Sequence, residues 1–200
     1  MPTQHAKRQS VKSETRKTSV AGTDVVRYIT ETEFEQLLTG ARQGRYPVRD
    51  VAMLRLLFEH GLRATELALA KRTQFKLKEA RFIVHRLKGS RSGEHPVSGS
   101  TLRAVRAYLR SRADALPWLF VTERGAPFTR QGLHYLIGAI ATRAGLHHIH
   151  PHMLRHACGF ALANRGRDTR LIQDYLGHID IRNTERYTKT AARRFEGLWE

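Results

Sequence analysis

The chain alternates long stretches of helical hydrophobic spacing with one short stretch of two-residue spacing. Thr30 and Glu33 stand at the capping-box interval, and Phe34, Leu37, Leu38 and Ala41 follow at three- and four-residue steps, which predicts a first helix. Gly44 to Pro47 breaks that pattern. A second helix is expected from about Val48 to His60, with Val51, Leu54, Leu57 and Phe58 on its inner face and Gly61 as its stop. Glu66 to Lys71 reads as a further short helix. The period then shortens to two. Phe75, Leu77 and the run Ala80 to Leu87 are rich in β-formers, and His95 to Val97 resume after a turn, Lys88 to Glu94, that holds two glycines and two serines. Residues 73–98 therefore predict two or three antiparallel strands. Helical spacing returns over 100–113, through Leu102, Val105, Ala107, Tyr108 and Leu109, and a short apolar run, Leu119 to Val121, precedes a turn at Gly125. Thr129 is placed to cap a helix reaching Ala144 through Leu133, Leu136, Ile137 and Ile140. Pro151 fits the first turn of a helix ending at Asn164. Shorter helices are expected over Thr169 to Leu176, Ile181 to Tyr187 and Ala191 to Trp199. The fold class is mainly α with a small antiparallel β-sheet. No period of about 20–50 residues repeats, which excludes a solenoid.

Composition narrows the function classes. Two hundred residues suffice for one domain and a tail, with a core that needs no staples. The single cysteine, Cys158, excludes an internal disulfide and reads as a reduced, buried helix thiol. No apolar run reaches about 18 residues, and the polar N-terminus lacks a signal-like apolar core. The expected compartment is the cytoplasm, at the nucleoid. Thirty-five Lys and Arg stand against 18 Asp and Glu, a formal charge of +17. Nucleic acid is the first partner such a charge suggests. An anionic membrane surface is the rival, disfavoured because the basic residues are not set opposite one long apolar face. Residues 1–27, with Lys7, Arg8, Lys12, Arg16 and Lys17, read as a basic flexible tail that either tracks a DNA backbone or only solubilises the domain at 28–200. There is no phosphate-binding glycine loop, acidic metal cluster or cysteine-based zinc pattern, so no cofactor and no catalytic metal are expected.

Several basic groups sit at element boundaries. Arg63 lies in Gly61-Leu62-Arg63-Ala64-Thr65-Glu66-Leu67, Lys88 in the strand turn, and His152, Arg155 and His156 at one helix start, where three- and four-residue spacing lets them face one way. His178 follows Leu176-Gly177, and Tyr187 comes nine residues later. Singly, each has an ordinary explanation: a surface arginine paired with Glu66, a turn lysine, one histidine among eleven, a half-buried helix tyrosine.

Together the boxes resemble those of the tyrosine recombinase (phage-integrase-like) family. His152-Met153-Leu154-Arg155-His156 matches its His-x-x-Arg signature, Leu176-Gly177-His178 its Leu-Gly-His/Trp signature, and Glu185-Arg186-Tyr187-Thr188 the segment of its nucleophile. Gly61-Leu62-Arg63 with Glu66-Leu67 resembles its first arginine box. The likeness spans roughly residues 28–190. It is closest to the small recombinases that invert the promoter switch of bacterial fimbrial operons, through residues 150–156, 158–164 and 168–178. Ordinary family members carry a separate DNA-clamping domain of about 90 residues. Only about 27 residues precede the first helix here, so that clamp is not expected, and the basic tail is a poor substitute for it.

The resemblance implies a site-specific DNA recombinase working through a 3′-phosphotyrosine, with Tyr187 as nucleophile and no ATP. Arg63 and Arg155 would hold the non-bridging oxygens, Lys88 would protonate the leaving 5′-oxygen, and His152 would accept the tyrosine proton or bind the phosphate. His178 would donate to a non-bridging oxygen. Arg91 is second to Lys88, its high pKa making it a poor acid. His156 is assigned to packing and orienting the helix start, and Glu66 to fixing an arginine or the local backbone. Lys7, Arg8, Arg91, Gln131, His134 and Arg143 are the DNA-binding candidates. The implied partner is double-stranded DNA with inverted-repeat sites, bound by a protein that is monomeric free and tetrameric on synapsed DNA, with a DNA-bending accessory protein. Residues 189–200, with Phe195, Leu198 and Trp199, would form a C-terminal helix packed on its own core or given to a neighbouring protomer. The alternatives are integration or excision of a mobile element, a type IB topoisomerase, and a catalytically silent DNA-binding regulator.

Overall fold

The computed structural model describes residues 27–189 apart from 88, 89 and 91. Lys7, Arg8, Lys88, Arg91 and the expected helix after Lys189 lie outside the described residues, as does all of the tail but Arg27, whose guanidinium reaches the His147 carbonyl at 3.2 Å. The elements are α1 (Glu31–Arg42), α2 (Pro47–Glu59), α3 (Ala64–Ala68), a 3-10 turn at Arg72–Gln74, β1 (Phe75–Lys76), β2 (Arg81–Val84), β3 (Gly93–Pro96), α4 (Gly99–Arg110), α5 (Arg130–Arg143), α6 (Pro151–Asn164), α7 (Thr169–Leu176) and α8 (Arg182–Lys189). This is the mainly helical architecture with one small antiparallel sheet that the spacing predicts.

The starts of the helices follow side-chain chemistry. Thr30 Oγ1 accepts the Glu33 amide at 3.1 Å while Glu33 Oε2 accepts the Thr30 amide at 2.9 Å, a reciprocal cap on α1. Thr129 Oγ1 accepts the Gly132 amide at 2.9 Å and starts α5. Pro47, read from the sequence as part of a break, is instead the first residue of α2, where its missing N–H costs nothing. α2 is the central helix. Ala52, Met53, Leu54, Leu56 and Leu57 are fully enclosed, and α1, α4 and α6 pack around it. The apolar run at Leu119 is pinned by Leu119 N–H donating to the Ala70 carbonyl at 2.7 Å and Arg72 N–H to Pro117 at 2.9 Å.

The sheet runs β1-β2-β3, with Phe82 opposite both Phe75 and His95. β2 is shorter than its run of β-formers suggests. Beyond Val84 the chain leaves the ladder: the Arg86 amide donates to Ser92 Oγ at 3.0 Å, and the Arg86 side chain turns inward. Cys158 is buried and burial pushes its thiol up to about 12, the inert core cysteine expected. Among the described residues no helix is long and apolar enough to cross a membrane.

A buried pair, His60 and the β3 residue His95, makes stability depend on acid. His60 is fully enclosed and His95 is 6% exposed, with ring centroids 5.5 Å apart. Burial, then the Arg86 charge, lowers His60 to about 3, and burial, then His60 and Arg86, lowers His95 to about 3. An unfolded imidazole titrates near 6.5, so between about 6.5 and 3 the unfolded chain binds protons that the folded chain refuses. Stability should therefore be level above pH 6.5 and fall as pH drops below it. Urea midpoints at about pH 7.5, 6.0 and 4.5 should decrease in that order, and a midpoint that holds or rises toward pH 4.5 contradicts a neutral buried pair.

Candidate active site

Four segments converge on one cleft. Arg63 stands at the start of α3, where its amide and its Nη1 reach Glu66 Oε2 at 2.9 Å and Oε1 at 2.6 Å. His152, Arg155 and His156 occupy successive turns of α6. α7 ends at Leu176 because Gly177 adopts φ +66°, a left-handed conformation that glycine enters without strain, and this reversal brings His178 toward the cleft. α8 carries Tyr187. A cavity of about 230 Å³ is lined by Arg63, His152, Arg155, His156, His178, Asn183, Arg186 and Tyr187. It adjoins a groove of about 1150 Å³ that shares Arg63, His152, His178 and Asn183 and adds Arg130, His134 and His150.

Arg155 is 1% exposed, and its donors are fixed on backbone: Nη1 to the Gly61 carbonyl at 2.5 Å and Nη2 to Leu176 at 2.7 Å. Burial, then the charges of Arg86 and Arg63, lowers it to about 10, and it remains a cation at neutral pH. Tyr187 is also 1% exposed, and burial pushes its phenol up to about 12 against the pull of Arg155 and Arg186. Its hydroxyl lies 2.9 Å from His156 Nδ1. Burial, then His152, lowers His156 to about 4, so its neutral ring can accept the phenolic hydrogen at Nδ1 in the Nε2–H tautomer. His152 sits edge-on to His156 at 4.5 Å, and burial, then Arg155, lowers it as well. His178 Nδ1 is 2.8 Å from Thr184 Oγ1, and burial, then Arg155, lowers it to about 3.

An aromatic floor holds the tyrosine. Phe160 meets Tyr187 edge-on at 5.0 Å and stacks at 3.8 Å on Tyr28. Gly159 is required beneath the ring, since a Cβ there would lie 2.5 Å from Cε2 and 2.7 Å from Cδ2 of Tyr187. Gly159→Ala should displace the ring, costing roughly 1–3 kcal/mol of stability and at least about tenfold in the DNA cleavage that the family resemblance implies. Denaturant melts beside a cleavage time course test this, and unchanged values for both show that the ring does not depend on that gap.

The structure thus gathers five of the six residues expected to carry catalysis, Arg63, His152, Arg155, His178 and Tyr187, with Lys88 outside the described residues. It moves His156 from a packing role to contact with the tyrosine hydroxyl; helical spacing shows that His152 and His156 share a face but not which one meets α8. Of the DNA-binding candidates, His134 lines the groove and Gln131 is exposed on α5. Arg143 sits at the far end of α5 and does not line the groove; its Nε donates to the Gly40 carbonyl at 3.1 Å and ties α5 to α1. Arg130 and Arg86 were missed. For Arg86 the signal exists, since Phe82, Val84 and Arg86 fall on alternate positions of the run of β-formers, and all three are buried although the strand itself ends at Val84. Among the described residues, no three His, Cys, Asp or Glu side chains are grouped to hold a metal ion.

The family model described as the phage integrase family matches residues 27–194, which takes in all four converging segments. The chain belongs to the phage integrase family. Within that family it is 42% identical over 178 residues to the type 1 fimbriae regulatory protein FimB of Escherichia coli K12, covering 86% of this chain and 89% of that protein. It is 41% identical over 180 residues to FimE of the same strain, covering 87% and 91%. The XerA recombinase crystal structure superposes with a TM-score of 0.74 at 28% identity, over 82% of this chain and 60% of that one. The catalytic domain of bacteriophage HP1 integrase shares the fold at 17% identity, with a TM-score of 0.64 over 86% of this chain and 96% of that domain. This integrase-family chain is a tyrosine-type site-specific recombinase, with the mainly helical catalytic-domain fold of that group.

Proposed function

We propose that this recombinase cuts and rejoins double-stranded DNA at inverted-repeat sites through Tyr187, and that the outcome is inversion of a promoter-bearing segment. The observation that carries the reading is the single cavity in which a buried tyrosine meets three arginines and three histidines. Tyr187 Oη attacks the scissile phosphorus and its proton passes to His156 Nδ1. The bond to the 5′-oxygen breaks, Lys88 supplies that oxygen's proton, and a 3′-phosphotyrosine remains. A 5′-hydroxyl from the partner strand reverses the step, so the bond energy is conserved. Arg63 and Arg155 draw the non-bridging oxygens, where charge gathers in the transition state. His178, with Nδ1 engaged by Thr184, offers Nε2 to the same oxygens, and His152 stands at the cavity mouth to bind the phosphate. Glu66 fixes Arg63 and does not act as an acid. The groove bearing Arg130, His134 and His150 takes the flanking duplex, which suits a chain of charge +17.

The resemblance to FimB and FimE favours inversion over integration or excision. The chain acts at the nucleoid as a monomer that assembles into a tetramer on two duplexes, linked by the segment after Lys189 and helped by a DNA-bending protein. Nicked duplexes tiled across the DNA flanking the gene test the chemistry. One site should yield a denaturation-resistant protein–DNA band, and a plasmid with two inverted copies of that site should return the inverted segment. Deletion or intermolecular joining as the main product favours the mobile-element alternative. Binding without any adduct favours the silent regulator.

A further inference from the structure

Arg86 lines neither the cavity nor the groove, yet its side chain joins both site arginines. It is 7% exposed, and its guanidinium donates in four directions. Nη1 reaches the Gly61 carbonyl at 3.1 Å and Glu66 Oε2 at 2.8 Å, while Nη2 reaches the carbonyls of His60 at 2.8 Å and Tyr175 at 2.7 Å. Two of these acceptors are shared. The Gly61 carbonyl also takes Arg155 Nη1 at 2.5 Å, and Glu66 also takes Arg63 Nη1 at 2.6 Å. The side chains of Arg86 and Glu66 are 0% and 1% exposed, so water does not compete for these bonds.

Two guanidinium groups therefore hold one carboxylate, and a third, that of Arg155, joins them through the Gly61 carbonyl. The arrangement leaves an excess of positive charge at the cavity wall, and an entering phosphate is the counter-charge that completes it. We propose that Arg86 is a positioning residue for strand cleavage: through the Gly61 carbonyl it fixes Arg155, and through Glu66 it fixes Arg63, so that the remaining N–H donors of both face the scissile phosphate. This rests on the reading of Tyr187, Arg63 and Arg155 as DNA-cleaving groups. A lysine cannot replace it, because one ammonium does not span acceptors from three segments, residues 60–61, 66 and 175.

The test uses the full chain on a nicked duplex under single-turnover conditions at saturating DNA. Arg86→Lys keeps the charge and loses the fork. Its cleavage rate should fall by about 10–100-fold, with DNA affinity within about twofold of the wild type. A second duplex carries sulfur in place of the bridging 5′-oxygen, so that the leaving thiolate needs no proton. That duplex should restore Lys88→Ala and should not restore Arg86→Lys. Glu66→Gln combined with Arg86→Lys should be no slower than the worse single variant, because both act on one route. If Arg86→Lys does not fold at the assay temperature, Glu66→Gln alone carries the test and must show the same sulfur-insensitive loss. The inference is overturned by normal cleavage in these variants, by rescue with sulfur, or by a loss confined to affinity. A wild type that forms no adduct on any duplex sinks the proposed function instead.

Discussion

Tyr187→Phe should bind DNA as the wild type does and form no covalent adduct, a loss of at least about 10⁴-fold in cleavage. The change removes one oxygen from a ring that is already enclosed by Gly159, Phe160 and His156, so the packing around it persists. The broken contact is the 2.9 Å bond to His156 Nδ1, which is partly exposed and can turn to water, so stability should change by less than about 1 kcal/mol. Gel shifts and denaturing gels on the same nicked duplex separate the two properties. An adduct of wild-type yield in the variant would falsify Tyr187 as nucleophile.

The arginines should divide differently. Arg155→Ala should lose cleavage by about 10²–10³-fold and should also lose roughly 3–5 kcal/mol of stability. Its guanidinium is buried, and its removal strands the Leu176 carbonyl and leaves the Gly61 carbonyl with Arg86 alone. Arg63→Ala should lose cleavage to a similar degree and little stability. The Arg63 side chain is 35% exposed, and Glu66 keeps Arg86 as its buried partner at 2.8 Å when Arg63 is gone. Urea melts of both variants beside their cleavage rates decide the matter. Equal destabilisation by the two substitutions would show that Arg155 does not clamp the backbone as described.

Much of this is legible in the sequence. Helical spacing located α1, α2, α4, α5, α6 and α7 to within a few residues, because each buries a continuous apolar stripe and several begin at a side-chain cap. The family boxes then singled out Arg63, His152, Arg155, His178 and Tyr187, which spacing alone could not raise above surface charges. What stayed hidden depends on contacts between distant segments. That His156 rather than His152 touches the Tyr187 hydroxyl follows from how α8 crosses α6, and the bond of Arg143 to Gly40 joins residues 103 apart in the chain. The short β2 reflects one local competition, Ser92 Oγ taking the Arg86 amide from the ladder.

The two carbonyl bonds of Arg155 carry a last consequence. They tie α6 to Gly61, 94 residues earlier, and to Leu176, 21 residues later. A chain still folding, or one whose final helices have come loose, keeps its positive charge and so its grip on DNA. It lacks the aligned guanidinium groups and the seated tyrosine. Chemical competence is thereby tied to the completed tertiary structure, whereas the positive charge belongs to the chain in any state.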